Sequence, residues 1–176
     1  PRRYLAPDAK GSETFIMGKR DRYVDIDELD RGILNQISQG VFAPDNEVAA
    51  RLGVSPSTVV RRIAAMKEKE VLLGDTFRID PAALGLSCYR ILITMKRLGA
   101  DLRRRMIQFC DEELSVRIMV ESLGSWDYEL ELEMSDNREI KIFNGRLYEA
   151  FPHDINNLSV IPIFQHLKYS GFPVEA

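Results

Sequence analysis

Between residues 26 and 37, Ile26, Leu29, Ile33, Leu34 and Ile37 recur at steps of three and four, which places them on one stripe of an amphipathic helix ending near Gly40. Asp45 then stands where an N-cap belongs. Val48, Ala49 and Leu52 share a face and Gly53 follows at once, so a second, short helix is predicted to stop at that glycine. Val54-Ser55-Pro56-Ser57 restarts the chain: Ser55 caps the new N-terminus and Pro56 fills the first helical position, where a missing N–H costs nothing. A third helix is expected to run to about Lys69, with Val60 and Ile63 pointing inward. Two helices joined by a three-residue turn containing Gly cross steeply, and the small Ala49 lets them approach at the elbow. Val71-Leu72-Leu73-Gly74 through Phe77-Arg78-Ile79-Asp80 reads as a short β element with a turn, the place of a wing.

Beyond residue 85 the periodicity changes. Leu86 to Met95 is rich in Ile, Tyr and Leu and predicts a strand, whereas Leu102, Met106, Phe109 and Cys110 fall on one face of a helix that carries Arg103, Arg104 and Arg105 mostly on the other. Val116 to Leu123 predicts a second strand, Gly124-Ser125 a tight turn, and Trp126 to Met134 a third strand of strict alternation. Trp126, Tyr128, Leu130, Leu132 and Met134 share one face; Asp127, Glu129, Glu131 and Glu133 share the other. Ile140, Phe143, Leu147 and Phe151 form another helical stripe, and Leu158 to Phe164 a last strand. The order βαββαβ is the ferredoxin-like arrangement, with both helices on one face of an antiparallel sheet. The chain is therefore expected to be α+β: residues 1–23 a linker or N-terminal extension, residues 24–80 a winged helix-turn-helix domain, and residues 86–173 the ferredoxin-like domain. The sheet's uncovered side needs water or a partner. Arg90 and Arg117 are placed to neutralise the acidic row across the strands, and Ile91, Ile93, Ile161 and Ile163 are too apolar for a free surface, so self-association is expected.

Composition narrows the chemistry. With 45% apolar and 29% charged residues in a chain of 176 the protein has the balance of a globular, cytoplasmic molecule, without an apolar run long enough to cross a bilayer. The two cysteines, Cys88 and Cys110, lie in apolar stretches and predict buried thiols rather than a disulfide or metal site. A net charge of −3 leaves no overall field to hold the molecule on phosphate, so nucleic-acid contact has to be local. The first 23 residues hold six basic and three acidic residues, but residues 24–80 hold seven basic and ten acidic ones. Ser57, Thr58, Arg61, Arg62 and Lys67 mark the outer face of the third helix as one able to meet phosphates and base edges in a major groove, and Arg78 is placed to touch backbone from the wing. Hydroxyls at the helix start, Ser55 among them, share that surface with exposed backbone N–H groups that attract phosphate.

Taken together, several short runs resemble the Lrp/AsnC (feast/famine, leucine-responsive) regulators over nearly all of residues 24–173. They are Asp27-Glu28-Leu29-Asp30 with Ile33-Leu34, Ala49-Ala50-Arg51-Leu52-Gly53-Val54-Ser55-Pro56-Ser57-Thr58-Val59, Arg62-Ile63, Asp80-Pro81 with Leu84-Gly85, Leu123-Gly124-Ser125-Trp126-Asp127-Tyr128 and His166-Leu167-Lys168-Tyr169. Phe172-Pro173 and the Gly-Ser-Trp-Asp turn resemble a subgroup common in archaea, often the second half of a tandem protein. The resemblance implies transcriptional regulation through double-stranded DNA, dimers formed through the sheet face, higher assemblies of dimers, and a small effector, often an amino acid, bound beside the glycine turn. Carried over, the effector residues are Gly124, Ser125, Trp126, Asp127 and Tyr128. Backbone N–H groups of a glycine turn suit a carboxylate, and Asp127 an ammonium.

Two other readings stand beside this one. Sirohaem decarboxylases resemble the same two-module architecture, but they depend on histidine and arginine near a strand, and His153 and His166 lie in no catalytic cluster. No phosphate-cradling glycine loop, Ser-His-acid grouping or paired metal ligands appear, so no enzyme activity, cofactor or metal is expected. The third reading is a metabolite sensor whose helix-turn-helix no longer binds DNA.

Overall fold

The computed structural model describes residues 17–18, 23–38, 44–74 and 79–167. Most of the N-terminal extension, residues 75–78 of the expected wing (Arg78 included) and the motifs at 168–173 lie outside the described residues. The chain divides into two compact units, the second opening at Ile79 and reaching His166.

The first unit contains α1 (Glu28–Ser38), α2 (Asp45–Leu52) and α3 (Pro56–Glu68). Asp27 starts α1 by accepting the N–H of Asp30 at 2.9 Å, satisfying one of the free donors of a helix N-terminus. Ile33, Leu34, Val48, Ala49, Val59 and Met66 form the buried core, with Ile26, Leu29, Ile37, Leu52 and Ile63 packed around it. Val59 is fully buried while Val60, expected inside, is 51% exposed. The stripe Val59-Ile63-Met66 fits the core better than one through Val60, which continues into Ala64 and Lys67. Asp45 also differs from its expected role: it is the first helical residue, and Pro44 (φ −61°, ψ 151°) takes the N-cap position without a side-chain bond. The aspartate still favours the helix from the first turn, where the dipole attracts negative charge.

Residues 71–74 and 79–80 form no strand, so the described part of the expected wing is irregular. After α3, Glu70 takes a left-handed conformation (φ 54°), and the Met66 carbonyl accepts the N–H groups of Val71 and Leu72 at 2.9 and 3.2 Å. That turn folds Val71 and Leu72 back onto the helical core instead of extending them.

The second unit begins with a 3₁₀ turn, Ala82–Leu84, which explains the Asp80-Pro81 and Leu84-Gly85 pairs: Asp80 Oδ1 accepts the Ala82 N–H at 3.0 Å, and Gly85 closes the turn at φ 73°. There follow β1 (Ser87–Met95), α4 (Ala100–Glu112), β2 (Val116–Glu121), β3 (Tyr128–Met134), α5 (Glu139–Ala150) and β4 (Ile155–Ile163). All strand pairs are antiparallel, in the order β2-β3-β1-β4, so the ferredoxin-like βαββαβ expectation holds. Strand alternation sends Tyr89, Ile91, Ile93, Met95, Tyr128, Leu130, Leu132 and Met134 into the core with Leu102, Met106, Cys110, Phe143 and Leu147 from the helices. Phe109 meets Phe143 and Phe151 edge-on at centroid distances of 5.7 and 5.8 Å.

Ile91 and Ile93 are therefore fully buried and add nothing to the open face, contrary to expectation. The open face instead presents Ile161, Ile118 and Val120, each about two-fifths exposed. Between them runs the acidic row, and the expected cross-strand pairing is present: Arg90 meets Glu129 at 2.8 Å and Glu131 at 3.5 Å, and Arg117 meets Glu133 at 3.6 Å. Cys88 and Cys110 are free and buried, and burial, followed by Asp111 and Glu113, pushes the Cys110 thiol up to about 12. Among the described residues no helix is long and apolar enough to cross a membrane, and no cluster of His, Cys, Asp or Glu is arranged to hold a metal.

Candidate functional site

The turn between α2 and α3 is Gly53-Val54-Ser55. Gly53 adopts the left-handed conformation (φ 67°, ψ 29°) that a β-carbon resists, and its N–H, with that of Val54, closes the end of α2 on Ala50 and Ala49. Two residues later the chain is helical again. Ser55 caps α3 by accepting the Thr58 N–H at 3.2 Å, and Pro56 opens the helix. The Ser55 hydroxyl also lies 2.9 Å from both Ser57 Oγ and Thr58 Oγ1, so three of the expected contact residues form one hydroxyl cluster at the helix start. Such a cluster, beside the Ser57 N–H and the positive end of the dipole, is suited to a phosphate, the Thr58 and Val59 N–H groups being bonded to Ser55.

The two adjacent arginines have different surroundings. Arg61 is exposed and forms no ion pair among the described residues. Arg62 reaches back to α1, where its Nη1 lies 2.7 Å from Asp27 Oδ2 and 3.4 Å from Asp30 Oδ1, and Asp30 itself is buried. The Arg62 charge is thus committed to holding α3 against α1, which alters its expected place among groups facing outward to a duplex. The Asp30 N–H bond first, with Arg62 contributing, holds the Asp27 carboxyl below its ordinary value of 3.8. Asp27 and Asp30 were visible in the sequence as a motif without a role. Their partner Arg62 is 32 residues from Asp30 and further still from Asp27, so only the tertiary arrangement reveals the grouping. Lys67 is exposed at the far end of α3.

These helices match the model of the AsnC-type helix-turn-helix domain over residues 26–67. The transcriptional regulator LrpA of Pyrococcus horikoshii is 41% identical over 66 residues, an alignment covering 38% of this chain and 47% of that regulator, or about half its length. The regulator AldR of Mycobacterium tuberculosis is 26% identical over 148 residues, covering 84% of this chain and 82% of its own. The chain carries an AsnC-type helix-turn-helix domain and is similar to Lrp/AsnC regulators. A transcriptional regulator of Neisseria meningitidis solved in complex with L-Met superposes with a TM-score of 0.72 at 18% identity, covering 85% of this chain and 97% of the other, a likeness of fold.

In the second unit the glycine turn joins β2 to β3. Gly124 and Ser125 are exposed, and Gly124 adopts φ 158°. Trp126 is half-buried, and its indole N–H is buried with no hydrogen-bond acceptor among the described residues. Asp127 is occupied by the fold: Oδ2 accepts the Met95 N–H at 2.6 Å, its own N–H donates to Ile93 O, and its carbonyl accepts from Ser122. It thereby ties the turn to the irregular end of β1, where the β1–β4 register shifts at Thr94/Met95. Tyr128 points into the core at 1% exposure, and burial first, then the Glu121 carboxylate, raises its phenol above 10.0. Of the five residues carried over for an effector, Gly124, Ser125 and Trp126 remain at the surface, while Asp127 and Tyr128 are bound into the structure. An open groove of about 680 Å³ lies elsewhere on this unit, lined by Glu112, Glu113, Glu133 and Glu139 against the single cation Arg146, which pairs with Glu113. Its acidic lining is ill suited to a carboxylate, and none of the five residues lines it.

Proposed function

We propose that the chain is a sequence-specific DNA-binding transcriptional regulator that acts in the cytoplasm as a homodimer and as higher assemblies of dimers. In this reading it catalyses no reaction and answers to an amino acid or related small metabolite. The observation that carries the proposal is α3: a serine-capped, proline-started helix whose outer strip joins the cluster of Ser55, Ser57 and Thr58 to Arg61 and Lys67. Hydroxyls at the helix start take a phosphate, Arg61 and Lys67 lie along the groove, and Arg62 positions the helix through α1. Arg78 supplements them from the segment after α3. Because residues 24–80 carry more acidic than basic side chains, one unit alone holds DNA weakly, and two units presented together supply the missing affinity. The apolar strips around Ile118, Val120 and Ile161 support pairing through the open sheet face, with the acidic row partly neutralised by Arg90 and Arg117.

The effector reading rests on the exposed Gly124 and Ser125, next to a buried Trp126 indole N–H that has no acceptor among the described residues. The L-Met bound to the Neisseria meningitidis regulator supports an amino acid as its class. The test is Arg61→Ala. Loss of one phosphate-range cation weakens binding across all duplexes and lowers the slope of log affinity against log salt by about 1, while the sedimentation profile is unchanged. Equal affinity and slope in both proteins would remove DNA recognition through α3.

A further inference from the structure

The outer strip of α3 has one member that neither the core nor a phosphate explains. Val60 is 51% exposed, while the buried side of the same helix is completed by Val59 and Met66 with Ile63 partly buried. Its neighbours along the exposed strip are Ser57, Arg61, Ala64 and Lys67, all exposed. A valine there gains little from folding, and its β-branch makes it a poorer helix residue than alanine. It sits three residues, about 4.5 Å of helical rise, beyond Ser57 and the hydroxyl cluster. When that cluster rests on the phosphate backbone, the next turn of the helix is the part that meets base edges. Ala64, one turn further, is small enough to let the edge come close. Among the four bases only thymine presents a methyl group in the major groove, and an apolar side chain is its natural counterpart. Valine's branched carbon is stiff at χ1, so its two methyls are presented with little motion left to lose on contact.

We propose that Val60 is a specificity-determining residue that reads the 5-methyl group of a thymine in the major groove. The inference rests on the regulator reading and adds to it a base identity. The experiment first selects a preferred duplex from a random pool with the full chain, then replaces each of its thymines singly by uracil, which removes only the methyl. Dissociation constants are measured for the parent and for Val60→Ala, an exposed change to a better helix former that leaves the fold intact. At one thymine per half-site, uracil is expected to weaken the parent about fourfold, the worth of burying roughly one methyl group, and to leave Val60→Ala unmoved. Indifference to uracil at every position, or an equal loss in both proteins, overturns the assignment of Val60 while leaving DNA binding in place. Failure of the pool to yield any preferred duplex overturns the regulator reading itself, and this inference with it.

Discussion

The helical unit and the sheet unit solve the same problem with different means. Among the described residues the sheet unit buries fifteen side chains in one cluster, including Tyr128, Phe143 and Phe151, whereas the helical unit buries six, none aromatic. A small unit exposes a large share of its surface and has correspondingly less apolar area to stabilise it. The helical unit makes up part of that difference with polar fasteners: Asp27 on the Asp30 N–H, Ser55 on the Thr58 N–H, Gly53 at the end of α2, and Arg62 between Asp27 and Asp30. Two of these, Ser55 and Arg62, belong to the helix proposed to read DNA. Recognition and stability therefore overlap in that unit, whereas in the sheet unit the exposed Gly124 and Ser125 take no part in the buried cluster.

The contrast is open to measurement. The largest effect is expected for Phe143→Ala, which removes a fully buried ring that Phe109 meets edge-on; urea unfolding followed by emission of the single tryptophan, Trp126, should show a loss of about 3–5 kcal/mol. A loss below that range would mean the sheet unit does not depend on its apolar core as argued. Next comes Arg62→Ala, which leaves the buried Asp30 carboxylate without its partner and should cost the helical unit about 1–3 kcal/mol, read from amide exchange along α1 and α3. Arg61→Ala should leave that exchange unaltered. Equal protection in the two variants would erase the distinction drawn between the adjacent arginines.

The smallest effect follows from Asp27. Its carboxyl is held below 3.8 in the folded chain, so its contribution is fully present above the ordinary value and is lost as pH falls through the lower, folded one. Acid should loosen α1 and α3 in that window, and Asp27→Asn, which keeps an acceptor for the Asp30 N–H but has no charge for Arg62, should flatten the pH dependence. A parent and variant with superimposable acid profiles would show that the fastener is not electrostatic.

Much of the architecture was legible because it rests on period and punctuation. Gly53, Ser55 and Pro56 fix the turn by local chemistry alone, and the alternation through Tyr128, Leu130, Leu132 and Met134 assigns a face without reference to anything distant. Even the cross-strand pairing of Arg90 and Arg117 with the glutamates follows from strand adjacency. What the pattern misassigned was a choice between neighbours. Val59 and Val60 each fit a helical step from Ile63, and only the continuation to Met66 rather than Lys67 separates them. The isoleucines of β1 were assigned to the open face because an apolar strand does not announce which side its helices cover. Arg62 and Asp127 exposed a different limit. Their charges suggested external partners, yet both are satisfied internally, one by the carboxylates of Asp27 and Asp30 and the other by the Met95 N–H. Sequence shows the charge; the company it keeps depends on the fold.

The buried thiols carry a practical consequence. Cys88 and Cys110 are both in the sheet unit, shielded from solvent, and Cys110 is held near 12, far from the thiolate that alkylating reagents require. An alkylating label added to the native protein therefore advances only when that unit opens. The pair serves as a built-in clock for that unit's excursions, one hand on the strand β1 and the other on the helix α4.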